Sequence, residues 1–98
     1  MVLLPDKQEE KKRWLARDAL NMILWAGKHR AEDCIIYYRH RGVPGDYLAI
    51  LVSDIREMGQ LFFHTDDQTI PYHRILAILC NGAIIWNKRG ADLSFLDR

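Results

Sequence analysis

Ile70-Pro71-Tyr72-His73-Arg74-Ile75-Leu76-Ala77-Ile78 is the stretch whose reading decides the fold. Pro71 fixes its own φ and pushes Ile70 towards extended geometry, so the chain arrives stiffly. Ile75 to Cys80 is too short for an ordinary helix and is rich in Ile and Leu, which predicts a strand. His73 and Arg74 then stand where a loop hands over to a sheet, a firm base from which to present polar groups. A second pair, His40-Arg41, follows another apolar run. Whether the two pairs meet is the functional question.

Outward from this stretch, Asn81-Gly82 is the strongest hairpin signal in the chain. A two-residue turn there sets Ala77 opposite Trp86 and Leu79 opposite Ile84. It also sets Arg74 opposite Arg89, with Asn87 one pair further in. Like charges directly opposed are unfavourable and call for an acidic neighbour or a bound anion. Upstream, Leu61-Phe62-Phe63 reads as a brief strand and His64 to Gln68 as a polar loop. Ser53 to Gly59 reads as a short capped turn of helix. Cys34-Ile35-Ile36-Tyr37-Tyr38 is β-branched and aromatic, hence a strand, with Tyr47 to Val52 as its return. Between them Val43-Pro44-Gly45-Asp46 suits a type II turn in which Gly45 takes positive φ. Type II turns match strand twist poorly, so the loop that holds this one is longer than two residues.

The N-terminal third predicts a helix. Asp6 and Glu9 resemble a capping box. Leu15, Ala16, Ala19, Leu20, Ile23 and Leu24 recur at helical spacing and form one stripe to bury. Gly27 is a natural stop, and Lys28, His29 and Arg30 favour the negative end beyond it. Trp14 and Trp25 flank the stripe. The fold expected is α+β, an antiparallel sheet of about four or five strands packed against one main N-terminal helix. Residues 1–13 form a charged extension and residues 14–98 a single domain.

With 98 residues, the chain has room for one core. At this size folding buries roughly 60–65% of the extended chain's surface. Apolar residues at 49% and charged residues at 28% argue against disorder. A net charge of +1 does not announce a nucleic-acid binder, so any basic site is a local patch. Cys34 and Cys80 lack metal-type spacing and are too few for a disulfide framework. Both lie in apolar runs and read as reduced core cysteines of an intracellular, cytoplasmic protein. The uncharged run from Ala19 up to Lys28 is far short of a membrane span. Met1-Val2-Leu3-Leu4 is too short for the apolar part of a signal peptide. No membrane partner is expected.

His29, His40, His64 and His73 never occur at paired ligand spacing, so neither a metal nor another cofactor is expected. No Ser or Cys sits in a nucleophile elbow, and Gly42 and Gly45 are turn glycines rather than a phosphate loop. The His-Arg pairs carry more chemistry. Arginine's planar fork fits phosphate oxygens bidentately, and histidine adds a donor that can charge near neutral pH. Two pairs from different strands would clamp a terminal phosphate and the neighbouring ribose, with Tyr38 and Tyr72 stacking a base. The bland alternative has His73 capping a loop and Arg74 pairing with Asp66 or Asp67. The charged section Lys7 to Arg13 is likewise either a solvated arm or a backbone-contacting basic arm.

His40-Arg41-Gly42-Val43-Pro44-Gly45-Asp46 and Ile70-Pro71-Tyr72-His73-Arg74-Ile75 resemble the two signature segments of the RNA cyclic group end recognition domain. This is a family of small, largely uncharacterised proteins, frequent in archaea and also found fused to RNA-processing modules. Asp18-Ala19-Leu20-Asn21, Ile55 to Gly59 and Gly82 to Trp86 fit its pattern too, so the likeness covers roughly residues 15 to 89. The resemblance implies a compact α+β domain that recognises RNA ends bearing a 2′,3′-cyclic phosphate. Joined to the reading of the pairs, it makes His40, Arg41, His73, Arg74, Tyr38, Tyr72 and Arg89 the RNA- and phosphate-binding candidates. An RNA ligase, phosphoesterase or nucleotidyltransferase partner would act in trans, from another chain.

Two other readings stand beside recognition without catalysis. A phosphodiesterase would use His40 and His73 as general acid and base, with an arginine steadying the pentacovalent charge. Against it, each of these histidines is followed by arginine, not by the x-Thr/Ser of two-histidine phosphoesterases. A protein-interaction module would show as an exposed apolar patch around Trp14 and Trp25.

Overall fold

A computed structural model of the chain describes residues 15–97. Helix α1, Ala16–Asn21, starts from an extended Leu15 whose N–H donates to the Asp18 carboxylate at 3.0 Å. The next turn, Met22–Ala26, widens to π spacing and ends on Gly27, left-handed at φ 74°. Gly27 is thus the stop its sequence position predicts. Ala16, Ala19, Leu20 and Ile23 form the buried stripe. The Asp18 cap starts the helix one residue inside that stripe, so Leu15 lies outside it. Trp25 turns outward and is 81% exposed. The Asp6–Glu9 box and Trp14 lie outside the described residues.

Seven strands follow among the described residues. They are β1 (Cys34–Arg39), β2 (Tyr47–Leu51), β3 (Glu57–Met58), β4 (Phe62–His64), β5 (Thr69–Pro71), β6 (Ile75–Cys80) and β7 (Ala83–Asn87). They make a four-stranded antiparallel sheet in the order β2-β1-β6-β7 and a three-stranded one in the order β3-β4-β5. The fold is α+β, as the pattern predicts, with a second small sheet beyond expectation. In β1 the alternation places Cys34, Ile36 and Tyr38 on the helix side. There they meet Leu20 of α1, Phe63 of β4, Ile70 of β5 and Ile75 and Ile78 of β6. Burying each of the larger side chains stabilises the fold by about 1.5–3 kcal/mol.

The turns behave as their residues require. Asn81 and Gly82 take φ 53° and 82°, a two-residue turn whose twist suits the hairpin. Asp46 N–H donates to the Val43 carbonyl at 2.9 Å with Gly45 at φ 81°, ψ −9°, a type II turn inside a longer loop.

Three expectations are corrected. First, only Val52–Asp54 forms a helical turn in the Ser53 to Gly59 segment, and it is a 3₁₀ turn. Ile55 is already extended, and Glu57 and Met58 pair with His64 and Phe63, so the segment ends in a strand. Second, Leu79 faces Ile84 as expected, but Ala77 faces Asn87 rather than Trp86. Ile85 is an extra residue in β7, a bulge that lets both Ile85 and Trp86 pack on the core. Lys88 N–H then donates to the Leu76 carbonyl, and the slip takes Arg89 out of opposition to Arg74. Third, Cys34 and Cys80 are direct partners across β1 and β6 and are joined as a disulfide spanning 46 residues. They are not free thiols, so the argument from reduced cysteines to an intracellular setting falls. Among the described residues no helix is long and apolar enough to cross a membrane.

Candidate functional site

The antiparallel pairing sets Tyr38, next to last in β1, opposite Ile75, the first residue of β6. The chain therefore leaves β1 at His40 beside the place where it arrives at β6. That arrival is a 3₁₀ turn, Tyr72–Arg74, behind an extended Pro71 at φ −68°. A regular strand would send His73 and Arg74 to opposite faces, and the turn releases them from that alternation. Between Tyr37 and Tyr38 the register shifts, leaving Leu76 as a bulge in β6.

His40 is half-buried. Its N–H donates to the Asp46 carbonyl at 2.9 Å, which closes the loop behind it. Its ring stands edge-on to Tyr38, with centroids 6.4 Å apart. Tyr38 itself is 2% exposed, and its hydroxyl donates to Gln68 Oε1 at 3.2 Å. Stacking on a base needs an open ring face, so the expectation for Tyr38 is corrected: it is a core residue that braces His40. Tyr72 is half-buried, with its ring tilted against Phe63 and its hydroxyl donating to the Gly59 carbonyl at 2.8 Å. Burial pushes the Tyr72 hydroxyl above its ordinary pKa, and Arg17 nearby partly offsets this.

Arg41, Arg74 and Arg89 are exposed, and among the described residues none forms an ion pair. Asp66, a partner expected for Arg74 in the bland alternative, is taken by Arg56 through bonds of 2.8 and 3.2 Å. That pairing holds the Asp66 carboxyl below its usual range and raises Arg56. Asp67 accepts from the Thr65 hydroxyl. The positive charge at the turn is therefore not neutralised by these carboxylates.

Beside the turn lies a cleft of about 880 Å³. Its apolar walls come from Leu15 and Ala16 at the start of α1, Leu61 and Phe62 at β4, Pro71 of β5 and Trp86 of β7. Arg17, His73, Asn87, Lys88 and Arg89 supply polar groups, and among the described residues that line it none is acidic. Two of these cations also brace the backbone: Arg17 donates to the Gln60 carbonyl at 3.1 Å and Lys88 Nζ to the His73 carbonyl at 2.7 Å. Of the candidates named from sequence, Tyr72, His73 and Arg89 line the cleft, whereas Tyr38, His40, Arg41 and Arg74 do not. Arg39 opens onto the other side, beside Tyr47 and Phe95. Arg17, Phe62, Trp86 and Lys88 escape sequence reading. Lys88-Arg89 is visible as a basic pair, but nothing local joins it to a helix start or to Phe62.

The family model of the MJ1316 RNA cyclic group end recognition domain matches residues 15–88. A UPF0248 protein from Thermococcus sibiricus is 35% identical over 85 residues, covering 86% of this chain and 97% of its own. One from Methanococcus maripaludis strain C6 is 38% identical over 78 residues, covering 76% of this chain and all of its own length, 100%. One from Pyrococcus furiosus is 35% identical over 78 residues, covering 79% of this chain and 92% of its own. No solved structure matches the chain. A match that takes in both His-Arg segments and the elements between them shows the family, and the chain belongs to the RNA cyclic group end recognition domain.

Proposed function

We propose that this protein binds RNA ends carrying phosphate, a 2′,3′-cyclic phosphate above all, through the basic groups where β1 ends and β6 begins. His40 and Arg41 grip from one side, and His73 and Arg74 from the 3₁₀ turn on the other, with Arg89 and Tyr72 adjoining. One observation carries the reading: the Tyr38–Ile75 pairing sets the two segments next to each other while Arg41 and Arg74 have no ion pair among the described residues. Unneutralised guanidinium groups are suited to phosphate oxygens, which accept charge-assisted bonds from them. Recognition, not cleavage, is the role. The protein would work in RNA processing or repair, handing ends to a ligase, phosphoesterase or nucleotidyltransferase in trans.

The test is a titration of the protein with one short RNA ending in a cyclic phosphate, a 3′-phosphate or a hydroxyl. Phosphate ends should bind about tenfold tighter or better, the equivalent of one charge-assisted bond. The RNA should be recovered with its end unchanged. Equal affinity for the three ends overturns the proposal, and an opened cyclic phosphate replaces it with the phosphodiesterase.

A further inference from the structure

We infer that the cleft beside the turn is a subsite for an unpaired nucleotide adjoining the phosphate-bearing end, so that the protein selects single-stranded RNA ends over duplex ends. The inference rests on the end-binding reading and extends it from the phosphate to the nucleotide behind it.

A phosphate alone has no use for this cleft. At about 880 Å³ it lies within the range of roughly 300–1,000 Å³ that encloses whole small ligands. Its walls are apolar and aromatic. Phe62, the first residue of β4, is 42% exposed, and Leu61 just before it is 69% exposed. Such surface takes the flat face of a base, the usual way of holding unpaired nucleotides. Its charge points the same way, because Arg17, Lys88 and Arg89 meet no carboxylate among the described residues that line it. An anion with an apolar face fits this combination.

Preorganisation and position strengthen the case. Arg17 and Lys88 are held by backbone carbonyls, so part of the basic rim is in place before a ligand arrives. His73 belongs both to the cleft and to the turn that presents Arg74. A nucleotide in the cleft is therefore continuous with a phosphate at the turn. A base inside a duplex is paired and sandwiched between neighbours, and it enters a cleft only after being unstacked. An unpaired base avoids that cost.

The experiment uses the full chain and two RNAs with the same cyclic phosphate end, a short single strand and a blunt hairpin. The wild type should prefer the single strand by about tenfold or more, as one stacked base allows. Phe62→Ala should lower single-strand affinity by about 5- to 100-fold and hairpin affinity far less, which erases the preference. Its ratio of cyclic-phosphate to hydroxyl binding should persist, because the end grip is intact. Leu61→Glu is a second variant at an exposed site, and it should do the same by placing a carboxylate in the cleft. Equal affinity of the wild type for both RNAs, or wild-type binding by both variants, overturns this inference while the end-binding reading survives. Loss of discrimination between phosphate and hydroxyl ends in the wild type instead removes that reading, and this inference with it.

Discussion

Lys88 Nζ donates to the backbone carbonyl of His73 at 2.7 Å, so the end of β7 holds the turn that presents His73 and Arg74. Lys88→Met keeps the aliphatic stem and deletes the donor. The carbonyl is near solvent and water can replace the lost bond, so stability should fall by no more than about 1 kcal/mol. Affinity for phosphate-ended RNA should fall by about 1–2 kcal/mol, because a charge is lost and the turn loosens. Urea melts and RNA titrations of the same samples separate the two effects.

Arg74→Ala should weaken binding of phosphate-ended RNA by about 1.5–3 kcal/mol, the worth of a bond to a charged group. Hydroxyl-ended RNA should lose much less. Chemical denaturation should place the variant within about 0.5 kcal/mol of wild type, since an exposed arginine with no ion pair among the described residues contributes little to the fold. A large stability loss would mark Arg74 as structural.

The Cys34–Cys80 bridge has a plain chemical signature. Thiol titration of the unreduced, denatured protein should find no free thiol, and reduction should expose both. Because the bridge spans 46 residues, it removes much of the unfolded chain's freedom, and reduction should cost about 2–4 kcal/mol of stability. Finding two thiols before reduction would contradict the structure.

Tyr72 gives a pH prediction on the alkaline side. Its folded pKa is raised above the ordinary 10.0 by burial, so the neutral hydroxyl is favoured in the folded state. The contribution is fully present below the unfolded value and is lost as pH rises through the folded one. Stability should therefore decline from about pH 10 upward. Tyr72→Phe removes the Gly59 bond, costing about 0.5–1.5 kcal/mol at neutral pH. It should also flatten that alkaline decline. In the phenolate absorbance, the step that this variant deletes should have its midpoint above 10.0.

Gly45→Ala tests the loop that carries His40 and Arg41. At φ 81° the backbone suits glycine, and a Cβ there would meet Tyr47 Cε2 at 3.0 Å. The left-handed conformation alone costs roughly 1–2 kcal/mol for other residues. A melting experiment should show a loss of at least that size. A neutral result would mean that the turn relaxes to another type.

Much of the fold is legible along the chain, for local reasons. Cys34 to Tyr38 is a β-branched and aromatic run and Ile75 to Cys80 a short run rich in Ile and Leu, and neither needs a distant partner to be recognised. Gly27, Pro44-Gly45 and Asn81-Gly82 each carry their own dihedral requirement. The misses are non-local. The extra residue at Ile85 answers to packing on the core, and β3 exists because β4 lies beside it. The cysteines pair because two strands 46 residues apart share a register. At the candidate site, Tyr72, His73 and Arg89 could be found because they cluster with prolines, aromatics or other cations in the chain. Arg17 and Phe62 could not, since their common cleft forms only when a helix start meets the small sheet. Tyr38 is illegible for a related reason, because alternation alone does not say which face of β1 is covered.

Cys34 is the first residue of β1 and Cys80 the last of β6, so the bridge sits at the opposite end of the strand pair from His40 and the Tyr72–Arg74 turn. Five steps of strand separate the two ends, roughly 15–20 Å. In an antiparallel pair, a slip of one residue would turn every side chain to the wrong face. The covalent link forbids that slip. It acts as the rivet of a pair of tongs, fixing the register from Cys34–Cys80 up to Tyr37–Ala77, beyond which the Leu76 bulge sets the tips one residue apart from it.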